Sequence, residues 1–197
     1  MDMWKAILVT VLLGWGGYHW WNTRPLAYAP GVAAAQLPLQ QDVADPRPFT
    51  YKGYRVTPLA RFNMDARVLA RESYRFGREA ELSSTDLVFG WGRMSDGAIL
   101  DRIDIRQSNR FYYWSVKEFP IPREEIEASS ANMHLIPADS AIERGLDKLR
   151  RGQLVRLRGY LVRVDATDGW AWSSSLSRND TGPGACELIW VEELVSL

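Results

Sequence analysis

The sequence predicts a mainly β (α+β) fold, either a small OB-like antiparallel barrel or a curved sheet with two or three short helices, preceded by one transmembrane helix. Three observations predict it. Residues 153–164, QLVRLRGYLVRV, alternate apolar and polar side chains and change parity at Gly159, as a bent barrel strand does. The segment before them, SAIERGLDKLRRG, has an apolar stripe at helical spacing. The chain begins with an uncharged run at residues 6–23.

Composition limits the class of protein. A chain of 197 residues allows one domain of ordinary size plus an appendage. Its 24 Lys and Arg balance 24 Asp and Glu, which argues against nucleic acid as a partner, because phosphate binding needs a basic excess or stripe. One Cys excludes an intrachain disulfide, and with two His it does not make a zinc site of the usual kind. We therefore expect no metal and no cofactor.

The start of the chain is a predicted membrane anchor. A helix over residues 6–23 would be about 27 Å long, close to the roughly 30 Å of a hydrocarbon core. Aromatic residues near both ends, among them Trp4 and Trp20, suit the membrane–water boundary. Two alternatives remain, a cleaved signal peptide ending near residues 27–29 and a buried helix of a soluble protein. Lys5 before the run favours a single pass with the body outside the cytoplasm.

The predicted domain organisation follows from a change in composition. Residues 24–48 hold five of the ten prolines, which predicts a semi-stiff linker after an anchor at residues 1–23. Residues 49–197 form the predicted soluble β-rich domain. Its first part reads as two strands, near 50–61 and 64–74, because β-branched and aromatic residues are frequent and helical spacing is absent.

The middle of the domain predicts helices, a hairpin and strands in alternation. Ser83 or Ser84 is a candidate N-cap for a helix that ends at Gly90 and Gly92. A hairpin turns through Ser108 and Asn109 into a strand at Phe111–Val116. A helix begins at Pro122. A short strand, MHLIPAD, follows at 133–139. The helix with the apolar stripe, SAIERGLDKLRRG, comes next, and either Ser140 or Asp139 can cap it.

After the bent strand, the sequence predicts two further strands. A tight turn at Asp168 and Gly169 returns the chain as an antiparallel strand, WAWSSS. An irregular loop at 177–184 then leads into the last strand, ACELIWVEEL, at 185–194. The glycines of this loop are typical of turn chemistry rather than of a phosphate-binding motif.

Cys186 is the one residue that raises the question of catalysis. In a strand it shares a face with Leu188 and Trp190, and this apolar face predicts a buried structural role. The alternative is a thiolate nucleophile activated by His134, with Asp180 orienting the imidazole. No nucleophile-elbow or cysteine-protease motif surrounds Cys186. His134 alone is most simply a hydrogen-bonded core residue.

The loop before Cys186 is a candidate binding site. Four polar residues fall together there and could converge on a polar ligand: Arg178, Asn179, Asp180 and Thr181. The alternative is a set of solvated turn residues with no ligand.

Four stretches carry a resemblance to a known family: YRVTPLARFNMDARVLARESY, DLVFGWGRMSD, SANMHLIPAD and DGWAWSSSLSRNDTGPGACELIWVE. Together they resemble a family of uncharacterised bacterial proteins with a single N-terminal membrane segment, over most of residues 28–194. The resemblance implies a bacterial, membrane-anchored setting and transfers no catalytic residue.

From these observations we expect a membrane-tethered, extracytoplasmic binding or assembly module without an assignable catalytic activity. The alternative is an extracytoplasmic thiol or acid/base hydrolase that uses Cys186 and His134. The expected location is the bacterial inner membrane, crossed once, with the body in the periplasm. The expected partners are the lipid bilayer, through residues 6–23, and other membrane or envelope proteins, but not nucleic acid.

Overall fold

The computed structural model describes residues 3–27, 29–177 and 185–197, with 43% strand and 24% helix. Its helices have these bounds: α1 Met3–Thr23, α2 Arg78–Leu82, α3 Gly97–Leu100, α4 Arg123–Ala128 and α5 Ser140–Lys148, with a 3₁₀ turn at Gly92–Ser95. Its strands are β1 Leu39–Asp42, β2 Phe49–Tyr51, β3 Tyr54–Ser73, β4 Thr85–Gly90, β5 Ile103–Ser108, β6 Phe111–Val116, β7 Ser130–Pro137, β8 Leu154–Asp165, β9 Ala171–Ser173 and β10 Glu187–Ser196. The fold is therefore mainly β with several short helices, as the sequence predicts.

Five of the described strands pair in a closed circuit. In order they are β3, β4, β7, β10 and β8, and β8 pairs again with β3. Strands β1 and β2 extend β3, β9 extends β8, and β5 and β6 form a separate two-stranded sheet. The prediction of an antiparallel sheet is wrong in one respect, because β7 and β10 run parallel and the sheet is mixed.

Strand β3 corrects the prediction of two strands near 50–61 and 64–74. The chain turns at Lys52 and Gly53, which have φ of 49° and 84°, and then continues as one strand of 20 residues. Register shifts after Pro58 and after Val68 let this strand pair with β8 along its first part and with β4 along its last. One strand therefore belongs to two sides of the circuit.

Strand β4 corrects a second prediction, the helix from Ser83 or Ser84 to Gly90. All six residues of β4 are buried, and the strand pairs with β3 on one side and β7 on the other. The cap-like hydroxyl of Ser83 instead accepts a hydrogen bond from the backbone N–H of Leu135 at 2.8 Å. Two neighbouring strands therefore override the local helix signal.

The irregularity predicted at Gly159 is confirmed. The register between β8 and β10 shifts opposite Gly159, between Val191 and Glu193. A Cβ on Gly159 would lie 1.8 Å from the carbonyl oxygen of Trp190, so only glycine fits there. The backbones approach closely because the extra residue of the bulge lets β10 follow the bend of β8.

The predictions for α4, α5 and the β5–β6 hairpin are also confirmed. Asp139 is the cap of α5, and its carboxylate accepts hydrogen bonds from Ala141 and Ile142 at 2.7 and 2.8 Å. The hairpin packs over a buried cluster on the outer side of the main sheet, formed by Leu69, Val88, Met94, Leu100, Ile103, Ile105, Ile121 and Ile126. This packing places β6 beside the beginning of β7.

Helix α1 forms where the uncharged run predicts it. Its large apolar side chains are exposed, including Ile7, Leu8, Leu12 and Leu13. Among the described residues, no helix has both the length and the apolar character needed to cross a membrane. The aliphatic part of α1 is short, because glycines and polar-tipped aromatic residues follow Leu13.

The predicted linker, residues 24–48, contacts the domain at several points. Ser95 Oγ accepts hydrogen bonds from the N–H groups of Ala33 and Ala34 at 3.1 and 2.9 Å, and Ala34 is buried. Strand β1 pairs with β3. These contacts attach the later part of the linker to the β-rich domain.

Candidate functional site

The tip of the β5–β6 hairpin inserts a charged side chain into the main sheet. The two-residue turn, Asn109 and Arg110, has φ of 52° and 66°, the left-handed pair that a type I′ hairpin requires. This turn directs the Arg110 guanidinium to Asp86 Oδ1 at 2.9 Å and to the carbonyl oxygen of Ser83 at 3.1 Å. Arg110 therefore joins the separate hairpin to β4.

Asp86 is the centre of a buried polar cluster and is fully buried itself. Ser83 Oγ donates a hydrogen bond to Asp86 Oδ1 at 3.3 Å. His134, the cross-strand partner of Asp86 on β7, places Nδ1 at 2.9 Å from Asp86 Oδ2, though without the alignment of a hydrogen bond. A carboxylate in this position is stabilised by the adjacent guanidinium, since an unpaired charge in a core is strongly unfavourable.

Aromatic rings enclose the cluster. The Arg110 guanidinium lies 4.2 Å from the ring centroid of Tyr74 and 5.4 Å from that of Trp172. The same Trp172 ring lies 4.9 Å from the His134 ring. Burial raises the pKa of Tyr74, whose hydroxyl accepts a hydrogen bond from the Arg110 backbone N–H at 2.8 Å. The rings shield most of the ion pair from water and so strengthen it.

The backbone of Arg110 also contacts β7 and the start of β10. Its carbonyl oxygen accepts a hydrogen bond from Asn132 Nδ2 at 2.8 Å, and Cys186 Sγ lies 3.8 Å from the same oxygen. Asn132 Oδ1 accepts a hydrogen bond from Gln107 Nε2 at 2.6 Å. Arg110 is thus fixed through its side chain, its N–H and its carbonyl group.

A cleft of about 580 Å³ opens beside this cluster. One wall is β6, and every residue of this strand lines the cleft. The opposite wall comes from α4 and from the starts of β7 and β10, with these residues: Arg123, Glu127, Ala128, Ser130, Ala131, Asn132, Ala185, Cys186 and Glu187. The volume lies within the range of pockets that bind small molecules.

Acidic side chains shape the electrostatics of the cleft. Burial raises the pKa of Tyr112, and the carboxylates of Glu187 and Glu127 raise it further. A hydrogen bond with Ser130 opposes this rise. Glu127 accepts a hydrogen bond from Arg123 Nε at 2.9 Å. Among the described lining residues, the carboxylates are Glu127 and Glu187, and Glu127 forms an ion pair with Arg123.

The structure places the sequence-predicted residues in different surroundings. Cys186 is half-buried, lines the cleft and contacts Asn132 and the Arg110 carbonyl group. His134 is only 4% exposed and contacts Asp86. The predicted partner of His134, Asp180, lies outside the described residues, so the predicted pair stays a prediction. The predicted loop residues lie outside the described part of the chain: Arg178, Asn179, Asp180 and Thr181.

Sequence reasoning missed Asp86 and Arg110. Asp86 lies in a segment that the sequence assigns to a helix, where a carboxylate in the first turn is ordinary. Arg110 is the second residue of the turn, one position beyond the predicted turn at Ser108 and Asn109, and turn residues normally face solvent. The available signal was the pair of residues Asn109 and Arg110, since a type I′ turn with Arg at its second position is unusual.

In the described part of the chain, no group of three or more His, Cys, Asp or Glu side chains is placed to hold a metal ion. Comparisons with protein-family models, with curated proteins and with solved structures find no match for this chain. The class that the fold and the site define is therefore structural: a mainly β protein in which a hairpin, fixed by a buried ion pair, forms one wall of an aromatic cleft.

Proposed function

We propose that this protein is a membrane-tethered, extracytoplasmic binding module whose binding site is the cleft beside β6. The observation that carries the proposal is the cleft itself, an opening of about 580 Å³ with aromatic side chains on one wall and polar side chains on the other. Clefts of this composition orient ligands through a few polar groups while apolar walls supply contact area.

The strand order supports a finer proposal, that the closed circuit is an OB-like barrel. The five strands of the circuit, numbered 1 to 5 in chain order, are β3, β4, β7, β8 and β10. They pair in the circular order 1-2-3-5-4, which is β3, β4, β7, β10, β8 and back to β3. The parallel pair joins the third and fifth members, and helix α5 lies between the third and fourth. OB folds bind ligands on the face of strands two and three and in the loops after strands one and four. The polar cluster lies in this region.

Exposed apolar side chains support attachment to lipid. Leu8, Leu12 and Leu13 of α1 are 51%, 56% and 71% exposed, and other large apolar residues of this helix are exposed as well. A helix that is apolar on all sides is normally buried in protein or in lipid. Residues 6–23 are therefore the proposed contact with the bilayer, in a bacterial inner membrane with the body in the periplasm.

Membrane fractionation tests the attachment. We expect the full chain to sediment with membranes and to resist carbonate extraction, whereas the double variant Leu8→Asp/Leu12→Asp moves to the supernatant. The control Leu37→Asp/Phe76→Asp changes two apolar residues outside α1 that are at least as exposed, and this variant should still sediment. Protease cleavage of the body in spheroplasts, but not in intact cells, is expected for a periplasmic domain. A wild-type chain in the supernatant contradicts the attachment.

Thiol labelling separates a binding module from the hydrolase that uses Cys186 and His134. Because the Cys186 sulfur contacts Arg110 and Asn132 and is half-buried, we expect a polar thiol reagent to label the native protein more slowly than the protein in urea. Cys186→Ser is the control for specificity, since the chain has no other thiol. Native labelling that is faster than in urea and already maximal below pH 7 would favour the hydrolase.

A further inference from the structure

We propose that the free edge of β6 binds an extended peptide segment of another protein as a third strand of the hairpin sheet. This inference rests on the proposed function, because it uses the same cleft, and it adds the chemical class of the ligand. Adding a strand to an exposed sheet edge is a common way to recognise a polypeptide, since the main chain supplies affinity and the side chains supply specificity.

The way in which β6 lines the cleft shows that its edge faces the opening. Successive side chains of a strand point to opposite faces of the sheet. A cavity against one face would contact alternate residues, but this cleft contacts all six residues of Phe111–Val116. The cleft therefore runs along the hydrogen-bonding edge. Among the described strands, β6 pairs with β5 alone, and the edge is the side away from β5.

The register of the hairpin identifies the main-chain groups on this edge. In a two-residue hairpin the flanking residues, here Ser108 and Phe111, exchange hydrogen bonds with each other. Alternate residues of β6 therefore direct their N–H and C=O groups away from β5, and these are Tyr112, Trp114 and Val116. In the described part of the chain, no hydrogen bond involves the backbone groups of these three residues on that side. They repeat about every 6.7 Å, the spacing of a partner strand.

The walls of the cleft favour one extended segment over a second copy of this chain. Strands in a sheet lie about 4.8 Å apart, and a second hairpin is two strands wide. Because residues of α4 and of the starts of β7 and β10 also line the cleft beside β6, a single extended segment fits more readily than a second hairpin.

The side chains around the cleft define the segment further. Two aromatic residues at the opening, Tyr113 and Phe119, are more than half exposed and can pack against apolar side chains of a peptide. The proposed ligand is thus an extended segment with apolar residues on one face.

The experiment selects linear octapeptides from a phage-displayed library on the immobilised full chain in detergent micelles, and then measures the Kd of enriched synthetic peptides. Val116→Pro removes one outward N–H at an edge position that proline can occupy. Its matched control, Val116→Ala, shortens the side chain and keeps the N–H. We expect at least tenfold weaker binding to Val116→Pro, and little change for Val116→Ala.

A second measurement leaves the protein unchanged. One form of an enriched peptide carries N-methyl groups on its odd-numbered residues, and a second form carries them on its even-numbered residues. In an added strand, the N–H groups of only one of these two sets point towards β6. The form methylated on that set should lose binding, and the other form should keep it. A library without enriched peptides, equal binding of both forms, or equal binding to Val116→Pro and the wild type would overturn the proposal.

Sedimentation of the full chain in micelles checks the alternative occupant. A concentration-dependent dimer that Val116→Pro abolishes would show that a second copy occupies the edge, which also overturns the proposal. Membrane fractionation and Cys186 labelling are measured on the chain without peptide, so the peptide experiments can fail while both of those tests of the proposed function succeed.

Discussion

The ion pair between Arg110 and Asp86 should dominate the stability of the hairpin against the main sheet. The variant Arg110→Met keeps an apolar stem beside Tyr74 but removes two hydrogen bonds, one to Asp86 at 2.9 Å and one to the Ser83 carbonyl group at 3.1 Å. It leaves the fully buried Asp86 carboxylate without its guanidinium. Removing one partner of a buried pair costs about 3–5 kcal/mol, so we expect a loss of about 3 kcal/mol in the free energy of unfolding.

The reverse variant should cost less. Asp86→Asn keeps a hydrogen-bond acceptor beside Arg110, whose side chain is 17% exposed and retains some contact with water. We expect a loss of about 2 kcal/mol, because the cation is left without its charge partner but is less buried than the carboxylate. The double variant should lose about 2 kcal/mol less than the sum of the two single losses, since both remove one shared interaction.

Urea unfolding, followed by Trp fluorescence and circular dichroism on the full chain in micelles, measures these values. The exposed Arg47, changed to Met, is the control for loss of an arginine and should change stability little. Single effects that add to within about 0.5 kcal/mol, or an Arg110→Met loss below about 1 kcal/mol, would contradict the assignment of a coupled buried pair.

Three further predictions concern the scaffold. Gly159→Ala should lower the free energy of unfolding by about 3 kcal/mol or more in urea, because the added Cβ meets the carbonyl oxygen of Trp190. Asp139→Ala should cost about 1 kcal/mol in the same assay, since it removes the cap of α5. The hydrogen bond from Arg156 holds the pKa of Asp65 below its usual value, so this carboxylate stabilises the fold above about pH 4, and the contribution disappears as pH falls through the lowered pKa. Asp65→Asn should therefore be less stable than the wild type at pH 7, and this difference should shrink as the pH falls below about 4; a difference that does not change with pH contradicts this.

The elements that sequence could predict are those with local signals. The cap and stripe of α5 lie within a few residues of each other, and so does the turn of the β5–β6 hairpin. The parity change at Gly159 is also local, although its cause, the close approach of Trp190, comes from a distant strand. These signals identify elements and place their ends, but they contain no information on which strands become neighbours.

The errors come from tertiary contacts that override local preference. Residues 83–90 have a cap-like serine and an early carboxylate, yet β3 and β7 on either side hold them as a strand. The parallel pairing of β7 with β10 joins segments separated by α5, β8 and β9, and no spacing within either segment specifies it. The candidate site was missed for the same reason, because Asp86 and Arg110 gain their roles only when the hairpin folds back on β4.

Arg110 links the polar cluster around Asp86 to the cleft beside β6. This residue does not line the cleft, yet its side chain binds Asp86 while its carbonyl group contacts Asn132 and Cys186 on the opposite wall. The ion pair therefore fixes the distance between β6 and that wall. If so, Arg110→Met should increase the native labelling rate of Cys186 under conditions in which the domain remains folded, whereas Arg47→Met should not. An unchanged labelling rate would mean that the buried apolar cluster under the hairpin alone holds it in place. The polar cluster would then contribute to stability without influencing binding.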